Sequence, residues 1–251
     1  MQPARPVLTW RGRRGRMSTA KWEALEGQLP EYTLAGSGWP QLGRPTVLEI
    51  GFGMGDATVA AVTAAPEVDV IACEPHLAGV ANLCRMLRAE GLTNVRIHAG
   101  DALDLLDGGA GRGPLGAYST VAPHRSHFVP APSATPAERL RRSGPDLTVA
   151  VQPLPDASLA GIRVFFPDPW PRLRHRIKRL VRPPFVALVE RVLKADGIVH
   201  LSTDIEDYAV QMQEVFAGWT EVAPPVRPVT KFELIGRAAG RPIVDLAFRR
   251  C

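Results

Sequence analysis

Residues 46–55 read TVLEIGFGMG, a short apolar run that stops on glycines at positions 51, 53 and 55. Such a run suits a strand buried on both faces, and the glycines mark a turn where backbone can approach a ligand or take positive φ. The same punctuation recurs downstream. An Ala/Val-rich segment ends at Pro66, VDVIAC follows at 68–73, and Leu77, Val80, Ala81, Cys84 and Leu87 fall at helical spacing before Gly91 closes the helix. VRIH precedes Gly100 and Asp101, IRVFF precedes Pro167, and IVHLST precedes Asp204. After Pro183 and Pro184, the stripe Phe185, Leu188, Val189, Val192 and Leu193 predicts another helix. Thr203 and Glu206 have capping-box spacing for a helix carrying Ile205, Tyr208, Ala209, Met212, Val215 and Phe216. Strands alternating with helices predict an α/β fold with a doubly wound, mostly parallel sheet. VTKFELIG and RPIVDLAF, separated by RAAG, read as a C-terminal antiparallel hairpin.

The chain has 251 residues, near the upper end for one domain given a rough prior of ~150 residues per domain. With 45% hydrophobic and 22% charged residues it can bury a core, which excludes a wholly disordered, collagen-like or disulfide-stapled chain. No apolar run approaches the ~18 residues of a spanning helix, and the basic start MQPARPVLTWRGRRGRM is followed by no signal-type apolar region. A soluble, cytoplasmic protein without membrane partners is the expectation. Cys73, Cys84 and Cys251 form no CxxC pair or Cys/His cluster, which argues against a metal and against an oxidising compartment.

A net charge of +5 permits a polyanionic partner, and its placement is more informative than its size. Arg5, Arg11, Arg13, Arg14, Arg16 and Lys21 precede the first acid, Glu23, so residues 1–44 read as a mobile basic arm and lead-in. Residues 45–251 read as the main domain, interrupted at 107–160 by a Gly/Pro-rich insertion expected to be mostly disordered.

Counting from Gly51, glycines fall at 53 and 55 with Asp56 where the dinucleotide fingerprint GxGxxG needs its third glycine, which disfavours NAD. Glu49 stands two residues before the first glycine, and an acid there suits a ligand with a cationic head and no pyrophosphate, as S-adenosyl-L-methionine has. An ordinary tight turn would read alike. Glu74 ends the second strand, where an acid can accept from both ribose hydroxyls. Asp101 could accept from an adenine amino group or equally serve as a helix N-cap. All three acids fall at the carboxyl ends of predicted strands, where open α/β sheets bind ligands.

FFPDPWP at 165–171 holds Asp168 between two prolines on a stiff turn at that same edge, with Trp170 able to stack or to pack. Arg172, Arg174, His175, Arg176, Lys178, Arg179 and Arg182 follow with no acid among them. Such a run is often a solvated face; beside a probable site it reads as a phosphate track.

Together LEIGFGMG (48–55), CEP (73–75), DAL (101–103), FFPDPWP, the RH of Arg174 and His175, STD (202–204) and TKFE (230–233) resemble the bacterial tRNA (guanine-N7)-methyltransferases, from about Arg11 to Arg249 apart from the insertion. The resemblance implies a Rossmann-like class I methyltransferase fold using S-adenosyl-L-methionine. It implies that Glu49, Gly51, Gly53, Gly55, Glu74, Asp101 and Asp168 form the cofactor site, with Asp168 as the catalytic group. Arg172, Asp204, Thr230, Lys231, Phe232 and Glu233 would meet the guanosine at position 46 of the tRNA variable loop. Arg172 stands where the family usually has Lys, Ile177 interrupts the basic run, and the insertion is longer than usual. The expected partner is tRNA, and the expected state a monomer or weak homodimer. The rival readings are an exocyclic-amine methyltransferase, suggested by DPW and opposed by TKFE, and a non-catalytic RNA-binding protein, opposed by the intact acids and glycines.

Overall fold

The computed structural model describes residues 17–34, 44–107 and 153–250. Arg5, Arg11, Arg13, Arg14, Arg16 and most of the Gly/Pro-rich insertion lie outside them. The described residues form two compact units, one up to Pro155 and one from Asp156 onward.

The first unit holds three parallel strands, β1 (Thr46–Ile50), β2 (Asp69–Cys73) and β3 (Val95–His98), in the order β3-β2-β1. Leu48 faces Ile71 across the first pair, and Ile71 faces Arg96 across the second. Every residue of β1 is buried, as a strand without polar alternation requires. Helix α3 (Asp56–Ala64) follows β1, α4 (Leu77–Ala89) follows β2, and α5 (Ala102–Leu106) follows β3.

Ahead of them α1 (Thr19–Gly27) and α2 (Leu29–Tyr32) place Ala24, Leu25, Leu29 and Tyr32 in one buried cluster with Val80, Leu83, Cys84 and Leu87 of α4. This corrects the reading of Lys21 as part of a mobile arm. Ser18 caps α1 through the Lys21 amide, and Leu25 and Leu29 lie one turn apart on the inward face. Burying each such leucine contributes about 1.5–3 kcal/mol, enough to order a helix with weak sequence periodicity.

The second unit contains β4 (Leu159–Phe165) parallel to β5 (Leu193–Thr203), and β7 (Val244–Arg249) antiparallel both to β5 and to β6 (Thr220–Val222). Their order is β4-β5-β7-β6. Helix α6 (Pro183–Val192) starts on its two prolines and buries Phe185, Val189 and Val192, as its stripe predicts. Because β4 begins at Leu159 and Leu154 is buried, the end of the stretch read as insertion, from 153 to 160, belongs to the fold.

Two local expectations fail. VTKFELIG is not a hairpin arm but helix α8 (Lys231–Ala238), and β7 pairs instead with the short β6. Thr230 caps α8 by accepting the Glu233 amide at 3.1 Å, and Glu233 and Gly236, three apart, form its buried face. Nor do Thr203 and Glu206 form a capping box. Thr203 still sits in the β5–β7 ladder opposite Val244, so α7 (Glu206–Val215) begins beyond it, and the Thr203 hydroxyl accepts the Ile205 amide at 3.2 Å. Among the described residues no helix is long and apolar enough to cross a membrane.

Burial pushes both described thiols up, that of Cys84 to about 12. Alkylation of the native protein at about pH 8 should therefore leave the Cys73 and Cys84 peptides unlabelled in a mass map, and both should label after unfolding. Native labelling of either would contradict its burial.

Candidate active site

In the first unit Gly51, Gly53 and Gly55 have φ of 78°, 61° and 89°, a conformation that other residues adopt only at a cost of roughly 1–2 kcal/mol each. The alternate spacing thus has a backbone cause. Gly51 donates to the Cys73 carbonyl at 2.8 Å, and Gly55 is the N-cap of α3.

The loop is fastened by Glu74. Its Oε2 accepts the Gly53 amide at 2.9 Å, while Oε1 accepts the His76 amide at 2.9 Å and lies 2.6 Å from His76 Nδ1. Glu74 is buried, as is Glu49 on β1. Both readings of Asp101 start from one geometry, and the N-cap is realised: its Oδ1 accepts the Leu103 amide at 3.0 Å.

Two groups at this edge carry no local sequence signal. Gly79 brings α4 so close to the loop that an added Cβ would stand 1.9 Å from the Gly53 carbonyl oxygen. Asp104 joins Asp101, Glu74 and Glu49 in the field felt by Cys73, whose thiol is pushed up first by burial and then by these four carboxylates. Negative charge therefore converges on the carboxyl end of β2, beside a backbone cradle, and this suits a ligand bearing a positive head.

In the second unit the turn after β4 is strained. Phe166 and Trp170 have φ of 52° and 41°, worth about 1–3 kcal/mol each for residues with side chains. The Phe166 amide donates to the Ser202 carbonyl at 2.8 Å, and Arg179 Nε donates to the Pro169 carbonyl at 2.8 Å. Asp168 is therefore held by fixed backbone on either side. Lys178 Nζ lies 4.8 Å from the Trp170 ring centroid, and the His175 ring meets it edge-on at 6.0 Å.

The basic run, read as a phosphate track, is divided between interior and surface. Arg179 is completely buried; it donates to Gln211 Oε1 at 2.8 Å and Asp207 Oδ2 at 2.6 Å and lies 4.5 Å over the Tyr208 ring. Arg176 reaches the same Asp207 oxygen at 2.7 Å. Arg172 and Arg174 remain exposed, alternating with exposed Leu173 and Ile177. A basic run with no acid in it conceals this division, because Asp207 and Gln211 lie on a later helix.

Asp204 accepts Arg241 Nε at 2.7 Å, with Gly236 of α8 packed against its side chain. Thr230 caps α8, Lys231 and Phe232 are exposed, and Glu233 is buried. Glu233 Oε2 accepts Arg227 Nη1 at 2.6 Å and Oε1 pairs with Arg237. Arg227 also forms a bidentate pair with Asp245, at 2.7 and 2.9 Å. Burial opposes ionisation of Asp245, but the bidentate Arg227 pair, with His200 Nε2 at 3.5 Å and Ser202 nearby, outweighs it and holds the carboxyl well below its usual range. The second unit thus brings Asp204 and Glu233 onto one arginine-braced framework, and the first gathers Glu49, the three glycines, Glu74 and Asp101.

A family model described as "Putative methyltransferase" matches residues 43–109 and 144–246. The tRNA (guanine-N(7)-)-methyltransferase of Nitrosococcus oceani is 34% identical, over 98% of this chain and 92% of its own. That of Nitrosospira multiformis is 32% identical over 99% and 96%, and that of Stutzerimonas stutzeri 35% identical over 99% and 93%.

Two substitutions and a control test the geometry. Gly79→Ala must displace α4 or the loop and should lower stability by about 1–3 kcal/mol in denaturant unfolding. Arg179→Met, which strips donors from Gln211 and the Pro169 carbonyl, should cost about 2–4 kcal/mol, whereas Arg176→Ala at the half-exposed pair should stay within about 1 kcal/mol. Unchanged unfolding midpoints for the first two would overturn the close approach and the clamp.

Proposed function

The protein belongs to the tRNA (guanine-N(7)-)-methyltransferase family, and from that premise we propose that it methylates N7 of a guanosine in the tRNA variable loop, using S-adenosyl-L-methionine. The observation that carries the donor assignment is the placement of Glu49, Glu74 and Asp101 at the carboxyl ends of β1, β2 and β3, next to three left-handed glycines. When bound, S-adenosyl-L-methionine supplies an electrophilic methyl group on a positively charged sulfur, and the charge of this edge matches it. Glu74, already accepting the Gly53 amide, would fix the loop and the cofactor's sugar together.

Guanine N7 bears a lone pair and no proton, so no general base is needed before attack and alignment supplies most of the rate. The base must be held by its opposite edge. Glu233 suits that grip, since a carboxylate can accept from guanine N1–H and the N2 amino group and would repel the N1 acceptor of adenine. Each carboxylate oxygen has two lone pairs, so the pairs with Arg227 and Arg237 leave acceptor capacity. Asp168, on its clamped turn, orients the purine and stabilises the positive charge that develops on it, without acting as an obligatory base. Arg172 and Arg174 attract phosphates, and the basic residues before Met17 add to that attraction.

The test is incubation with labelled methyl donor and unmodified tRNA, followed by nucleoside analysis of nuclease fragments. Label should appear as 7-methylguanosine in the variable-loop fragment. Label on an exocyclic amine, or no calorimetric affinity for the donor, would overturn the assignment.

A further inference from the structure

The guanidinium of Arg227 has all five of its N–H donors engaged. Nε and Nη2 hold Asp245 of β7 at 2.7 and 2.9 Å, Nη1 holds Glu233 of α8 at 2.6 Å and the Pro228 carbonyl at 3.2 Å, and Nη2 reaches Ser202 Oγ of β5 at 3.0 Å. Its side chain is only 8% exposed. Its carbon centre lies 5.0 Å from the Phe165 ring centroid and 5.8 Å from that of Phe166, the two residues that lead into Pro167 and Asp168. One rigid, planar fork therefore fixes the relative positions of the Asp168 turn, the end of β5 two residues before Asp204, and the Glu233 carboxylate.

A buried ion pair is weak evidence of stabilisation, because desolvation offsets most of the attraction and apolar packing often serves as well. The position of this one at the meeting point of three substrate-facing segments gives it another role. We propose that Arg227 is a positioning residue for methyl transfer: it sets the Glu233 carboxylate and the Asp168 turn in the register that guanine recognition requires. The inference rests on the proposed roles of those two acids.

Lysine keeps the charge but offers three donors without a planar fork, so it cannot serve four acceptor groups at once. Arg227→Lys should lower kcat about 100-fold, the scale of an ångström-sized misplacement. KM for tRNA and calorimetric affinity for S-adenosyl-L-methionine should stay within about twofold. Ser202→Ala, which removes one neutral partner of the fork and strands no charge, should lower kcat about fivefold. Because part of the effect of Arg227 runs through Glu233, the losses of Arg227→Lys and Glu233→Gln should combine to less than their product in the double variant.

Wild-type kcat in Arg227→Lys, a loss confined to KM, or losses that multiply in the double variant would each overturn the proposal. If Arg227→Lys does not fold, Ser202→Ala carries the test, and wild-type kcat there overturns it. Wild-type protein that forms no 7-methylguanosine would sink the functional reading itself. An active wild type untouched by Arg227→Lys would sink only the role of Arg227.

Discussion

A carboxylate withdrawn from water at a strand end costs several kcal/mol unless the chain supplies its donors, and both units are organised around that requirement. In the first, Glu74 is satisfied by the amides of Gly53 and His76, so the group that balances its burial is the backbone of the glycine loop. In the second, Asp245 and Glu233 share Arg227, which ties β7 to α8 and, through Ser202, to β5, while Arg237 pairs with the other oxygen of Glu233. Satisfying the acids and fixing the glycine loop and the β7–α8–β5 junction are the same set of contacts.

Strain is distributed by the same logic. The turn through Phe166 and Trp170 stores unfavourable backbone at two residues, and it persists because the Ser202 carbonyl and buried Arg179 hold it from both sides. Arg179 suits this use because its fork serves Pro169, Gln211 and Asp207 while its flat face covers Tyr208. Of the basic residues after the turn, some therefore build the turn, and others, Arg172 and Arg174 among them, stay exposed.

The family resemblance in the sequence and the measured likeness to tRNA (guanine-N(7)-)-methyltransferases agree, and each motif that carries the resemblance has a physical basis in the structure. The alternate glycines are three left-handed residues. Thr230 and Glu233 of TKFE form an N-cap and a buried counterion. Where local pattern misled, a longer-range term prevailed: TKFELIG alternates like a strand, but its cap and the packing of Gly236 on Asp204 make it a helix. Likewise the segment holding Lys21 lacks a clear stripe, yet is ordered by burial against α4.

By itself the sequence determined the alternation of strands and helices, the glycine turn, the acids at strand ends and the family, because these depend on residues close together in the chain and on period and turn chemistry that are local. Only the tertiary structure decided that Glu74 fastens the loop, that Gly79 must lack a side chain, that Arg179 is buried while Arg172 is not, and that Arg227 joins three segments. The need at Gly79 is steric, set by how closely α4 meets the loop; the others depend on which distant partner a buried charge finds, and for Arg179 the partners lie 28 and 32 residues along the chain, far beyond the reach of any local pattern.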